Sequence, residues 1–136
     1  MNDPTQTARG ALVPALSDLL DLKRMLKALG DTVRLQMVTL LARAGEVNVT
    51  DLGQMLAAAG HFVSQPLVSW HVSVLRRNGF VRTRRIGRLV YCSLDRARYD
   101  ACLRMLADLV PATRPEPAPA PSGLSDAPGG LVGRAR

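Results

Sequence analysis

The chain has 136 residues, of which 47% are hydrophobic, and a formal net charge of +7 at pH 7. This length suits one small domain with its own core, and the positive charge favours a polyanionic partner, with nucleic acid the leading candidate. No segment approaches the ~18 apolar residues needed to cross a bilayer, so we expect no membrane association and a cytoplasmic protein.

Three regions of the chain differ in composition. We predict a flexible leader over 1–14, a patterned domain over 15–110 and a disordered tail over 111–136. The tail is dense in Pro, Ala and Gly and has little apolar area to bury, so burial cannot offset the entropy cost of ordering it.

Helical periodicity opens the patterned domain. Four leucines recur at helical spacing, namely Leu19, Leu22, Leu26 and Leu29. Gly30 can close this first helix, and Asp31 can then cap a second one. The segment "TVRLQMVTLLARAG" predicts that second helix, with Leu35, Val38 and Leu41 on its inward stripe.

A third helix should run to about Ala58, with Thr50 as its N-cap and Asp51 in its first turn. Ser64 is placed to cap a fourth helix. The outward face of that helix carries small or hydrogen-bonding groups and one large ring, namely Gln65, Ser69, Trp70 and Ser73. Such a pair of helices is typical of proteins whose second helix enters the DNA major groove.

Two strands should follow the fourth helix. The segments "FVRTRRI" and "LVYCSL" alternate in polarity, and Gly87-Arg88 is a plausible hairpin tip. This hairpin carries four arginines, namely Arg82, Arg84, Arg85 and Arg88. From Ser64 to Leu94 the chain has six arginines and no Asp or Glu. A carboxylate there would repel a phosphate backbone, so we expect the fourth helix and the hairpin to form an acid-free face, and the pattern favours double-stranded DNA as the partner.

Three motifs, in this order, resemble the ArsR/SmtB family of winged helix-turn-helix repressors. They are "LKALGDTVRLQMVTLL", "VSQPLVSWHVSVLRRNGFV" and "RRIGRLVYCSL", and the resemblance covers roughly 22–110. It implies a mainly helical α+β fold, in which a winged helix-turn-helix domain has a two-stranded β-wing and flanking dimerisation helices.

The resemblance also implies a function: a homodimer that binds an inverted repeat of DNA, excludes RNA polymerase and releases the DNA when an effector arrives. The family pattern assigns contacts with bases or the nearby backbone to Ser64, Gln65, Ser69 and His71, and phosphate contacts to the wing arginines.

The chain departs from the family pattern at two places near the fourth helix. Trp70 stands where the family commonly has an arginine, and it can stack on a thymine methyl or sugar, or pack under the wing. The segment "AAAGHFV" is several residues longer than the usual turn, so it either lengthens the third helix or forms a loop.

Neither familiar metal site of the family is present. Asn48 and Thr50 occupy the positions of a Cys-x-Cys pair, and the early positions of the last helix hold Arg96 and Arg98. Cations would repel a divalent metal, so we expect no metal, no cofactor and an effector that the sequence does not identify.

The only thiols, Cys92 and Cys102, allow two interpretations. They are small buried apolar residues, or they sense a soft metal, a metalloid or an oxidant. With two histidines and no recognisable nucleophile or phosphate-loop motif, the sequence predicts no enzyme.

The first and last helices carry more apolar side chains than the core of a single protomer needs. We expect their dimer interface to include Leu19, Leu22, Leu26, Tyr99, Cys102, Leu103 and Leu106. The alternative is that these helices complete the core of a monomer. A rival of another class is a winged-helix module for protein or RNA contacts, which operator-specific binding would distinguish.

Overall fold

The computed structural model describes residues 13–110, together with residues 112 and 117–119. Residues 13–110 form five helices and three strands. In chain order they are α1 (Leu16–Leu29), α2 (Thr32–Ala44), β1 (Val47–Asn48), α3 (Val49–Ala58), α4 (Gln65–Arg77), β2 (Val81–Ile86), β3 (Leu89–Leu94) and α5 (Arg96–Asp108).

The predicted mainly helical α+β class and winged helix-turn-helix arrangement are confirmed. The predicted flexible leader and disordered tail lie outside the described residues, apart from residues 13, 14, 112 and 117–119. None of the helices within residues 13–110 has the length and apolarity that a bilayer crossing requires.

Side-chain caps fix where four of the five helices start, while α1 has none. Asp31 caps α2 and Ser64 caps α4, as predicted, because each accepts a bond from a backbone N–H in the first turn. The cap of α3 is Asn48 rather than Thr50. Its Oδ1 accepts from the Asp51 N–H at 2.8 Å, so the helix starts earlier than the sequence pattern suggested.

The sheet is antiparallel, with β3 between β1 and β2. Thr83 of β2 and Val47 of β1 both pair with Cys92 of β3, so the wing hairpin is joined to the domain through β1. The predicted hairpin tip is confirmed. Gly87 has a φ of +60° at the first central position of the two-residue turn, a backbone conformation that favours glycine.

One core joins all five helices to the wing. Its buried side chains are Leu22, Met25, Ala28, Met37, Val38, Leu41, Leu52, Leu56, Val68, Val72, Leu75, Phe80, Val81, Cys92 and Cys102. Burial of each large apolar side chain contributes about 2 kcal/mol. The expected inward stripe of α2 is wrong at Leu35, which is 49% exposed. Arg34 and Met37 face inward instead.

The helix-turn-helix is formed by α3, the loop 59–64 and α4. The extra residues form a loop, because α3 still ends at Ala58. Phe62 in this loop is 89% exposed. The two helices approach closely at Gly53, where an added Cβ would lie 2.7 Å from Oε1 of Gln65.

Candidate nucleic-acid interface

The front of α4 presents polar side chains to solvent. Ser64, Gln65 and Ser69 are exposed, and Ser73 is half-buried one turn further along. Gln65, Ser69 and Ser73 also line a groove whose opposite wall is the wing. The predicted base-contacting hydroxyl and amide groups therefore share one accessible face of the helix.

Gln65 already has an internal partner. Its Nε2 donates to the carbonyl oxygen of Val49 at 3.1 Å, at the start of α3. The bond is exposed, so water or a base edge can replace the carbonyl at small cost. A base contact by this amide therefore requires it to exchange one partner for another.

His71 does not lie on this face, and its predicted contact with DNA is corrected. The side chain is buried, with 5% of its surface exposed. It follows Val68 by three residues and precedes Leu75 by four, so helical geometry turns it toward the core. What it contacts there is Arg34 of α2.

Arg34 joins three elements inside the protein. Its Nε donates to the carbonyl oxygen of Ala28 at 2.5 Å and its Nη2 to that of Lys27 at 3.4 Å, both at the end of α1. Its Nη1 lies 3.0 Å from Nδ1 of His71. Because a guanidinium only donates, Nδ1 accepts, and the neutral imidazole carries its proton on Nε2.

The charges around this pair set two pKa values. Burial lowers the pKa of His71 from its ordinary 6.5, the carboxylate of Asp31 4.0 Å away opposes that shift, and the charge of Arg34 reinforces it. Desolvation opposes ionisation of Asp31, but the backbone N–H bond and the charge of Arg34 outweigh it and lower the pKa of Asp31. Neutral His71 and ionised Asp31 are the states that the fold favours.

Trp70 packs over α2 rather than under the wing. Its ring centroid lies 5.7 Å from the guanidinium carbon of Arg34 and 5.0 Å from the centroid of the His71 ring, which it meets edge-on. The side chain is still 51% exposed. Of the two expected arrangements, packing under the wing is wrong, and stacking on DNA stays a prediction.

Two of the four wing arginines are held by carboxylates. Arg84 forms a two-pronged bond with Glu46, in which Nε donates to Oε2 at 2.7 Å. Arg82 donates from Nε to Asp95 at 3.0 Å. The expectation of an acid-free face is therefore wrong for these two side chains, because Glu46 and Asp95 lie outside the acid-free stretch of sequence but next to it in space.

These ion pairs shift the titration of the carboxylates. The hydrogen bond from Arg84 lowers the pKa of Glu46 despite partial desolvation. The backbone N–H of Arg98 lowers the pKa of Asp95, and Arg82 adds to that effect. Both acids remain ionised at neutral pH, so they offset the charge of their arginines.

The other two wing arginines differ in position. Alternation along β2 places Arg85 on the sheet face of Thr83, opposite to Arg82 and Arg84. Arg88, at the hairpin tip, lines the groove between the wing and α4. Neither forms an ion pair with a carboxylate of residues 13–110.

The two thiols are buried and bonded or packed within the domain. Cys92 donates to the carbonyl oxygen of Val47 at 3.2 Å, and burial raises its pKa to about 11. Burial also raises the pKa of Cys102. A thiolate is the reactive and metal-binding form, so both features oppose the sensing hypothesis. Across residues 13–110, no three His, Cys, Asp or Glu side chains cluster as a metal would require.

The predicted dimer residues separate into three groups. Leu22 and Cys102 are each only 3% exposed within the protomer, so their assignment to the interface is corrected: they belong to the core. Tyr99 is half-buried against that core. The predicted residues that remain available for a dimer interface are Leu19, Leu26, Leu103 and Leu106.

The sequence patterns did not predict roles for Arg34 and Arg76. For Arg34 the signal was its spacing of three and four residues from Met37 and Val38, which places a cation on the inward stripe of α2. For Arg76 the signal was its spacing of seven and three residues from Ser69 and Ser73, which places all three on the face of α4 that lines the groove.

The chain resembles known proteins over part of its length, although no family model matches it. It is 32% identical over 56% of its length to a CadC homolog, a cadmium resistance transcriptional regulatory protein from Staphylococcus aureus. It is 40% identical over 50% of its length to the arsenic resistance transcriptional regulator ArsR1 of Pseudomonas putida. The matches span 59% and 49% of the lengths of these two curated relatives.

A solved structure covers more of the chain. It is the homodimeric winged helix-turn-helix DNA-binding domain of Mb0332 from Mycobacterium bovis, a possible ArsR-family transcriptional regulator. The similarity has a TM-score of 0.51 and 32% identity, over 71% of this chain and 87% of that one. With the fold and all three sequence motifs in agreement, the chain belongs to the ArsR family of winged helix-turn-helix transcriptional regulators.

Proposed function

We propose that this chain is a homodimeric transcriptional repressor that binds an inverted repeat in double-stranded DNA. The observation that carries the proposal is the groove shared by α4 and the wing. Polar side chains from the front of the helix and Arg88 from the hairpin tip open onto it together. The family membership of the chain supports the same activity.

In this proposal α4 enters the major groove. Gln65 and Ser69 offer an amide and a hydroxyl to base edges, which can be distinguished there by their donor and acceptor patterns. Arg85 and Arg88 of the wing contact phosphates, which fix the orientation of the domain without reading sequence. The bound protein then blocks RNA polymerase.

The exposed leucines of α1 and α5 support a two-fold dimer. Leu19, Leu26, Leu103 and Leu106 are each 39–47% exposed in the protomer although they are large and apolar. Pairing with a second copy would bury them. Such a dimer would place two α4 helices about 34 Å apart, one turn of B-DNA, and so would bind two symmetric half-sites.

The proposed activity is binding rather than catalysis, and it requires no cofactor. It places the protein with chromosomal DNA, in the cytoplasm. The effector that would release the DNA is not assigned, because the two thiols are buried and the described residues contain no metal-binding cluster.

Selection of binding sites from random duplex DNA tests the proposal directly. The full chain should enrich an inverted repeat and should bind it at least ~1,000-fold more tightly than random duplex. Gln65→Ala should relax the preference at particular base pairs, whereas Gln36→Ala on α2 should leave it unchanged. No enrichment over the starting pool would overturn the proposal and favour a module for protein or RNA contacts.

A further inference from the structure

The space between α4 and the wing is a defined groove with a volume of about 410 Å³. Ser69, Ser73 and Arg76 form its helix wall, on one side of α4. Thr83 and Arg88 form its wing wall, and Thr50 at the start of α3 also lines it. The groove thus lies between the two elements proposed to contact DNA.

The groove has two cationic walls and no acid. Arg76 reaches it from the helix and Arg88 from the hairpin, and none of its lining residues is Asp or Glu. Neither guanidinium forms an ion pair with a carboxylate belonging to residues 13–110. The serine and threonine hydroxyls between them add hydrogen-bond donors. This combination suits an anion with several acceptor oxygens.

Two other arginines of the hairpin provide a contrast within the same fold. Arg82 and Arg84 point to the opposite sheet face, where Asp95 and Glu46 bind them. Carboxylates therefore neutralise Arg82 and Arg84. The guanidinium groups of Arg76 and Arg88, which line the groove, have no such partner among the described residues. Arg76 and Arg88 therefore bring two unneutralised guanidinium groups to one groove.

We propose that this groove binds a backbone phosphate of the DNA duplex, which Arg76 contacts from the helix side and Arg88 from the wing side. The inference rests on the proposed function and adds Arg76, near the end of α4, to the residues that contact DNA. A phosphate gripped from both walls would fix the depth at which α4 sits in the major groove, because helix and wing would hold the same strand. A phosphate contact carries no base information, so it contributes equally to the affinity for all DNA sequences.

The test is equilibrium binding of the full chain to its selected operator and to random duplex, over a series of salt concentrations. Arg76→Ala should weaken both complexes by a similar factor, about 10-fold. It should also reduce the slope of log affinity against log salt by about one, since one fewer phosphate is neutralised. Arg76→Lys should retain most of the slope, because it keeps the charge.

Arg82→Ala is the matched control. It also removes an exposed arginine from this region, but one that Asp95 already holds on the other sheet face, so its salt slope should equal that of the unsubstituted protein. An Arg76→Ala protein with normal helix content by circular dichroism and an unchanged slope would overturn this inference and leave the proposed function standing. If the unsubstituted protein bound no duplex, both would fail.

Discussion

Nη1 of Arg34 lies 3.0 Å from Nδ1 of His71, and both side chains are buried. The same guanidinium bonds the last carbonyls of α1. One side chain of α2 therefore ties a helix that we place at the dimer interface to the helix that we place in the DNA. A shift of α1 relative to α2 would therefore disturb the bond between Arg34 and His71, which helps to hold α4.

Replacement of Arg34 should destabilise the domain strongly. Arg34→Ala would leave carbonyl groups at the end of α1 and a ring nitrogen of His71 without their donor, a loss of about 2–4 kcal/mol in the free energy of unfolding. The free energy of unfolding of Arg34→Lys should lie between those of Arg34→Ala and the unsubstituted protein. Its ammonium group keeps the charge but cannot form the forked set of bonds. Urea unfolding followed by circular dichroism measures the change.

The control for this experiment is Arg43→Ala, at an exposed position of the same helix. It should alter the free energy of unfolding by less than about 0.5 kcal/mol. Equal urea midpoints for Arg34→Ala and Arg43→Ala would show that the buried network contributes nothing measurable.

Stability should depend on pH through His71. Because the folded protein lowers the pKa of His71 below 6.5, the unfolded chain binds a proton more readily. The stabilising contribution is therefore fully present above about pH 6.5 and is lost as the pH falls below it. Asp31, Asp95 and Glu46 have lowered pKa values as well, but their ordinary values are 3.8, 3.8 and 4.5, so they act at lower pH.

The measurement is the free energy of unfolding at pH 7.5 and at pH 5.5. His71→Gln, which keeps an acceptor for Arg34 but cannot gain a proton, should lose most of the difference between the two conditions. His61→Gln, which changes the other histidine of the chain, should retain it. A full pH dependence in His71→Gln would assign the effect to other groups.

Local rules predicted most of the fold. Caps such as Asp31 and Ser64, and the glycine at the hairpin tip, act within a few residues, so the sequence reveals them directly. Helix α2 was assigned correctly and Val38 and Leu41 are inward as predicted, but in the first turn Arg34 rather than Leu35 faces the core. Leu35 is more apolar than Arg34, and the arginine is inside because the carbonyls at the end of α1 and the ring of His71 accept its hydrogen bonds.

The site was predicted less completely, because its electrostatics depend on residues distant in sequence. Glu46, which neutralises Arg84, is 38 residues away from it in the sequence, and Asp95 is 13 residues away from Arg82. A sequence stretch free of acids therefore did not produce an acid-free surface. His71 was misplaced for a different reason: the family pattern assigned it a contact with DNA, although its spacing from Val68 and Leu75 already indicated the inward face.

The thiols should react slowly in the folded protein. Raising the pKa of Cys92 from 9.0 to about 11 reduces its thiolate fraction by about 100-fold at neutral pH, and burial restricts access further. Titration with a coloured disulfide reagent should show two slow thiols that become fast in urea. A rapidly reacting thiol in the native protein would revive the sensing hypothesis, and Cys92→Ser and Cys102→Ser would identify it.

A charge on the exposed face of α5 should break the dimer. Leu106→Glu would place a carboxylate in the proposed apolar interface, where it would have to lose water without a partner, and should weaken dimerisation by about 100-fold or more. Sedimentation equilibrium measures this. Leu35→Glu is the control, since that leucine is similarly exposed but lies on α2. If both variants remained dimeric, α5 would lie outside the interface.

Trp70 should report DNA binding through its fluorescence, because it is the only tryptophan of the chain and lies on α4. One side of its indole faces Arg34 and His71, and about half of the side chain is exposed to water. Entry of α4 into the major groove would replace that water with sugars or bases. Titration with the selected operator should therefore shift the emission to shorter wavelength and saturate at one protomer per half-site.

Random duplex at the same concentration is the control for this titration, and it should produce a smaller shift because it is bound more weakly. Trp70→Phe should keep the fold, since phenylalanine can still pack over Arg34, while it loses the signal. If the emission stayed unchanged although an independent assay showed the operator to be fully bound, the exposed face of Trp70 would lie away from the DNA. Its role would then be to cover the Arg34–His71 pair from solvent.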